Sequence, residues 1–224
     1  MRQFTVELDE LNQKMLQMAG LVEQSINRAI RALVDKSRDL AEQVIRDEPQ
    51  INRMEMELDD LATRLLALRQ PVARDLRFLT AALKISTDLE RIGDLAVHIA
   101  ERSLTLMRRP QLTLVVDIPK MASLVQSMLL KVLEAFVHGD AELARTVLLA
   151  DAEVDAMRDA VYNELIATMQ SDPSTVAAAI ELIFVARNLE RIGDHATNIA
   201  EDVVFLVQGI DVRHHAEQLE KAGL

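Results

Sequence analysis

The sequence predicts an all-α fold: two tandem antiparallel three-helix bundles produced by an internal duplication. Three observations predict it. The hexapeptide LERIGD occurs at residues 89–94 and again at 189–194. The apolar residues are mainly Leu, Ala, Val, Ile and Met, with aromatics at 3%, no Trp and a single Tyr, which is a helix-core palette rather than that of a β-sandwich. Apolar residues recur at helical spacing through long segments that end at Pro- or Gly-marked breaks.

The duplication extends well beyond the hexapeptide. MAGLV (18–22) matches MASLV (121–125) at an offset of 103, and at that offset Leu40-Ala41 matches Leu143-Ala144, Ile51-Asn52 matches Val154-Asp155, and Met54 matches Met157. The offset then becomes 100 for ERIGD and IAE. The change falls between RQPVARDLR and QSDPSTVA, where Pro71 and Pro173 mark turns.

Each unit reads as helices in order. A first amphipathic segment covers about residues 6–34 and breaks at DKSRD; its counterpart covers 123–137 and breaks at HGD. A short helical stretch follows each break, with Ser37 and Asp140 as N-caps. A second long helix is expected to start near Pro49, a residue suited to a first helical turn, and to end before Pro71. A third covers about 74–107. In the second unit the equivalents are 154–169 and 174–208. RRPQLTLVVDIPK, with two prolines and a β-branched run, is the natural linker. The expected organisation is a bundle over 1–109, a linker over 110–120, a bundle over 121–210 and a C-terminal tail over 211–224. Short loops make neighbouring helices antiparallel.

Charge and composition exclude several functions. A formal net charge of −11 argues against nucleic acid as a partner, since displacing counterions needs a basic surface. The absence of Cys removes disulfides, thiolate metal sites and thiol nucleophiles. No stretch approaches the 18 uninterrupted apolar residues of a membrane span, and MRQFTVELDEL carries acids where a signal peptide would be apolar. The expectation is a soluble, intracellular protein.

The candidate site comes from the acidic rows. On the third helix Leu89, Ile92, Ala96 and Ile99 form the buried stripe, with Gly93 and Ala100 beside it. Glu90, Asp94 and Glu101 cluster about 150° from its centre, facing outward. Glu190, Asp194 and Glu201 repeat the arrangement. On the second helix Glu48, Asn52, Glu55 and Asp59 form a row, matched in the second unit by Asp151, Asp155 and Asp159. A hairpin folded at Pro71 sets Glu48 level with Asp94 and Asn52 level with Glu90; one folded at Pro173 does the same for Asp151/Asp194 and Asp155/Glu190. The two rows of each unit either border a common face or splay to opposite sides, and a common face gives each unit one patch of four acidic or amide side chains. Like charges at i,i+4 cost roughly 0.2–0.5 kcal/mol per pair. Carboxylates without thiolates suit oxygen-preferring cations such as Mg²⁺, Ca²⁺, Mn²⁺ or iron, with His98 as a candidate nitrogen ligand in the first unit only. The bland alternative is solvated charge neutralised by Arg91, Arg187 or Arg191. Met54, Met56, Met121, Met128 and Met157 read as packing residues, Asp75 and Arg77 as a cap and a salt bridge, and His214 and His215 as tail residues rather than ligands.

LERIGD in both halves, RQPVARDLR, ARNLERIGDHATNIAE and GIDVRHH together resemble the PhoU family, accessory and regulatory proteins of bacterial phosphate-specific transport, over essentially the whole chain. The resemblance implies two three-helix bundles, a cytosolic homodimer, and association with the ATP-driven phosphate transporter (through its ATPase subunit) and with the phosphate sensor histidine kinase. Membrane association would come only through those partners. It implies repression of the phosphate-starvation response and no catalytic residues. Some members hold metal through paired E/D-x-x-x-D motifs. That pattern falls here on Glu90 and Asp94, Glu190 and Asp194, and Asp151 and Asp155, while Glu48 is followed by Asn52, leaving the first site one negative charge poorer. The implied cofactors are divalent or trivalent ions: iron, zinc, manganese, magnesium or calcium. Two other classes compete: a di-metal carboxylate oxidase, which would need Glu-x-x-His motifs inside the bundle, and a purely structural helical dimer.

Overall fold

The computed structural model describes residues 2–109 and 117–212. Six long α-helices follow in chain order: α1 Arg2–Val34, α2 Arg38–Arg69, α3 Ala73–Leu106, α4 Ile118–His138, α5 Ala141–Ser171 and α6 Val176–Gln208, with a 3₁₀ turn at Pro173–Thr175 before α6. Helices α1–α3 pack on one another, as do α4–α6, and α3 lies against α6 between the two bundles.

Local sequence explains the boundaries. In α1 the buried residues Leu11, Met15, Met18, Val22, Ile26, Ala29 and Leu33 recur every three or four positions, the stripe of a half-buried helix. The Ser37 hydroxyl accepts the Leu40 N–H at 3.4 Å, and the Asp140 carboxylate accepts those of Glu142 and Leu143 at 3.0 Å, so both expected N-caps form. Gly139, at φ +62°, closes α4 in the left-handed region that glycine enters without steric cost. Both hairpin turns fall at the expected prolines.

Two expectations change. The short stretches after each break are not separate helices: α2 and α5 run without interruption, and Pro49 lies inside α2. The apolar stripe of α2 passes straight through it, with Val44, Ile51, Leu58 and Leu65 all buried, and this packing outweighs the roughly 3 kcal/mol cost of an interior proline. Helix α4 starts at Ile118, earlier than residue 123, because the Asp117 carboxylate caps it by accepting the Lys120 N–H at 3.1 Å. Most of the expected linker, and the tail with His214 and His215, lie outside the described residues.

The apolar core is continuous through both bundles. Phe78 of α3 stacks on Phe136 of α4 with centroids 5.8 Å apart. Polar and charged pairs bind α3 to α6: the ion pairs Lys84 Nζ–Asp202 Oδ1 at 2.7 Å and Arg102 Nη1–Glu181 Oε2 at 3.1 Å, and the hydrogen-bonded pair His195 Nδ1–Asp88 Oδ1 at 2.7 Å. Arg102 also sits 4.6 Å from the centre of the Phe184 ring, a cation–π contact. Met121 and Met128 are core residues and Met54 and Met157 pack against the core, whereas Met56 is 61% exposed. By length and hydropathy alone α4 could cross a membrane, but half of that window is buried in the bundle, as a core helix requires.

Candidate functional site

The repeated motif is built for a close helix–helix approach. Leu89 and Ile92 are fully buried. A Cβ on Gly93 would stand 3.1 Å from Ile51 Cδ1 on α2, and one on Gly193 would stand 3.5 Å from Val154 Cγ1 on α5. The missing methyl at Gly93 therefore lets α3 press against α2, whereas at Gly193 a methyl would make an ordinary contact. The acids one residue to one side and three to the other, Glu90 and Asp94, are drawn into the seam between the helices.

In the first seam Glu48 and Glu55 of α2 face Glu90 of α3, with Asn52 beside Glu48 on α2 and Asp94 beside Glu90 on α3. Asn52 Nδ2 donates to Glu48 Oε1 at 2.5 Å. Thr87 Oγ1 donates to Glu55 Oε1 at 3.3 Å. Arg91 reaches Glu90 Oε2 at 3.4 Å and Asp94 Oδ2 at 3.3 Å. Burial, followed by the charges of Asp94, Glu55 and Glu48, raises the pKa of Glu90 above the ordinary carboxylate range, with Arg91 opposing. Glu90 does not face outward as helical arithmetic predicts; its side chain is only 14% exposed. The apolar stripes meet across the hairpin and carry the seam inward with them. Glu55, already part of the acidic row on α2, adds to the repulsion felt at Glu90.

In the second seam Asp151 and Asp155 of α5 meet Glu190 and Asp194 of α6, and the pairs level across the hairpin interact as the fold at Pro173 predicts. Burial, then Asp155 and Glu190, raise the Asp151 pKa, with Arg158 opposing. Asp194 lies at the exposed rim. Partial desolvation, ahead of repulsion from Glu190, Asp151 and Asp155, lifts its pKa to about 6. The common-face placement of the rows therefore holds in both units.

The seams differ at their centres. Arg158 Nη1 lies 2.6 Å from Glu190 Oε1 and 2.7 Å from Asp155 Oδ1, while its Nε and Nη2 donate to Asp159 Oδ1 at 3.0 and 2.9 Å. Sequence reasoning missed this residue, although aligning the repeats at the offset of 103 sets Arg158 against Glu55 and so exposes a reversal of charge. The first seam holds no such arginine from α2; instead the Glu90 Oε2 and Asn52 Oδ1 atoms are buried without a hydrogen bond. Among the described residues, no three acidic or imidazole side chains are grouped closely enough to hold a metal ion alone. A cation in the first seam would add the Asn52 amide oxygen and water to its carboxylates, a donor set suited to Mg²⁺, Ca²⁺ or Mn²⁺. His98 is exposed. Arg77 does not pair with Asp75: its Nε donates to the Leu206 carbonyl at 3.2 Å, joining the first hairpin turn to the end of α6.

Against known proteins, the PhoU domain family model matches twice, over residues 15–103 and 118–203. The chain belongs to the PhoU family. The two matched segments coincide with the two bundles. A Pseudomonas aeruginosa protein named phosphate-specific transport system accessory protein PhoU homolog is 42% identical over 95% of this chain and 88% of its own length. Crystal structures of PhoU from Pseudomonas aeruginosa and of the phosphate transport system regulatory protein PhoU from Streptococcus pneumoniae superpose with TM-scores of 0.88 and 0.87. They are 41% and 31% identical, covering 92% and 93% of this chain and 100% and 99% of theirs. These PhoU neighbours share the tandem three-helix architecture.

Proposed function

We propose that this PhoU-family chain is a non-enzymatic regulator of phosphate uptake. It acts as a cytoplasmic adaptor that contacts the ATPase subunit of the phosphate transporter and the phosphate sensor kinase, and it keeps phosphate-starvation genes off when phosphate is plentiful. The observation that carries this reading is the full-length likeness to phosphate transport accessory proteins, which spans both bundles. An adaptor of this kind transmits a signal only if its affinity for a partner differs between that partner's states. The acidic seams on the bundle walls supply charge for basic partner surfaces. In the first seam Glu48, Asn52, Glu90 and Asp94, together with Glu55, would hold a hard cation that relieves their mutual repulsion. Homodimerisation would present two such faces.

Against the oxidase reading, the acids line helix seams rather than the apolar bundle centre, where di-metal carboxylate sites lie. Pull-down of the tagged protein from phosphate-replete cells should recover the transporter ATPase and the kinase. A phosphate-starvation reporter should become derepressed in a Glu90→Gln/Asp94→Asn strain that keeps normal protein levels. Recovery of neither partner would refute the adaptor, and unchanged repression would separate the seam from regulation.

A further inference from the structure

We propose that Arg158 is the resident cation between Asp155 and Glu190 of the second acidic seam, so that this pair is bridged from within and the seam excludes free metal, while only the first seam answers to it. The inference rests on the reading of the first seam as a cation site and asks whether its duplicate is one too.

Both halves descend from one unit, and both bring the same motif and two rows of acidic or amide side chains to the same place. A shared charge problem has received different answers. In the second seam one guanidinium spans α5 and α6, with Nη1 at 2.6 Å from Glu190 and 2.7 Å from Asp155. It thus takes an oxygen from each acidic row, which is the position a bridging ion would need. The remaining nitrogens are committed to Asp159. Guanidinium stays charged at any physiological pH and its planar fork matches carboxylates well, so a metal entering here would have to break four charge-assisted hydrogen bonds. The side chain is held in the groove, only 23% exposed. At the equivalent position of the first seam stands Glu55, which adds to the negative charge there; Arg91 reaches Glu90 and Asp94 from α3 alone, with more than half of its side chain exposed, and Glu90 Oε2 and Asn52 Oδ1 are buried without a hydrogen bond. Divergence after duplication has therefore left one seam whose two helices are bridged by a guanidinium and one whose matching place is open to a free cation.

The test is Mn²⁺ titration of the chelator-stripped full-length protein by calorimetry, with bound metal counted by mass spectrometry. Wild type should take one ion per chain, Glu90→Gln/Asp94→Asn none, and Arg158→Gln two. Arg158→Lys, which keeps the charge, should stay at one. Glu190→Gln/Asp194→Asn in the wild-type background should leave the count unchanged, which tests the idea even if Arg158→Gln fails to fold. Two ions on wild type, no gain in folded Arg158→Gln, or loss of the ion in Glu190→Gln/Asp194→Asn would overturn the proposal. No ion on wild type but one on Arg158→Gln would uphold the role of Arg158 and overturn the first-seam reading instead.

Discussion

At Gly93 a single hydrogen in place of a methyl sets how near two helices come, at Gly193 it does not, and the two positions make different predictions. Alanine gains up to about 1 kcal/mol over glycine in a helix interior. At Gly193 the new Cβ would meet Val154 at an ordinary 3.5 Å, so Gly193→Ala should stabilise the protein by roughly 0.5–1 kcal/mol. At Gly93 it would press on Ile51 at 3.1 Å, and overpacking costs roughly 1–3 kcal/mol, so Gly93→Ala should be neutral or destabilising. Urea unfolding of both variants checks the pair. Asp194 gives a pH prediction. Because its folded pKa is raised to about 6, the native state keeps a proton there that the unfolded chain has already released. Stability therefore falls as pH rises from about 4 to about 6, with the full penalty present above that. Asp194→Asn, measured with chelator present, should match wild type near pH 4 and exceed it at pH 7.5 by at least the roughly 0.2–0.5 kcal/mol of one like-charge pair. Equal stability at both pH values would contradict this account.

At the level of the helix, Pro49 shows packing overriding propensity. The proline removes the N–H that would bond the Ile45 carbonyl and crowds that turn, yet α2 persists because Val44 and Ile51 on either side are both buried in the core. Pro49→Ala should restore the bond and stabilise the fold by about 1–2 kcal/mol, less than the full proline penalty because the unfolded chain regains freedom. The measurement is again denaturant unfolding. In the second repeat the matching residue is Ala152, and α5 runs through it unbroken. Single-sequence reading split both helices because a proline, and in the second repeat an alanine-rich stretch of weak amphipathicity, look like boundaries when the partner surface is unseen.

For the molecule as a whole, the α3/α6 contact joins two bundles that could otherwise move independently. Glu181 and Asp202 are buried charges, and each is tolerated because a cation from the other bundle reaches it. Arg102→Ala should leave Glu181 without its partner and remove the Phe184 contact, costing roughly 1–3 kcal/mol. The loss should also lower the cooperativity of unfolding, seen as a reduced denaturant slope. A change below 0.5 kcal/mol would mean that solvent screens the pair at its exposed end. None of these inter-bundle partners was legible in sequence, since a pair such as Arg102 and Glu181 obeys no local period.

What the sequence determined by itself was local or repeated: the helical class, the duplication, the caps at Ser37 and Asp140, the turns at Pro71 and Pro173, and the levelling of Asp155 with Glu190. These follow from periodicity and from counting along a hairpin, both properties of a one-dimensional chain. Tertiary structure alone decided which side chains share a seam: that Glu90 is drawn inward, that Glu55 adds to the repulsion there, and that Arg158 bridges Asp155 and Glu190. Such outcomes depend on how closely two helices approach and on which long side chain reaches across first, and those distances exist only once the core has packed.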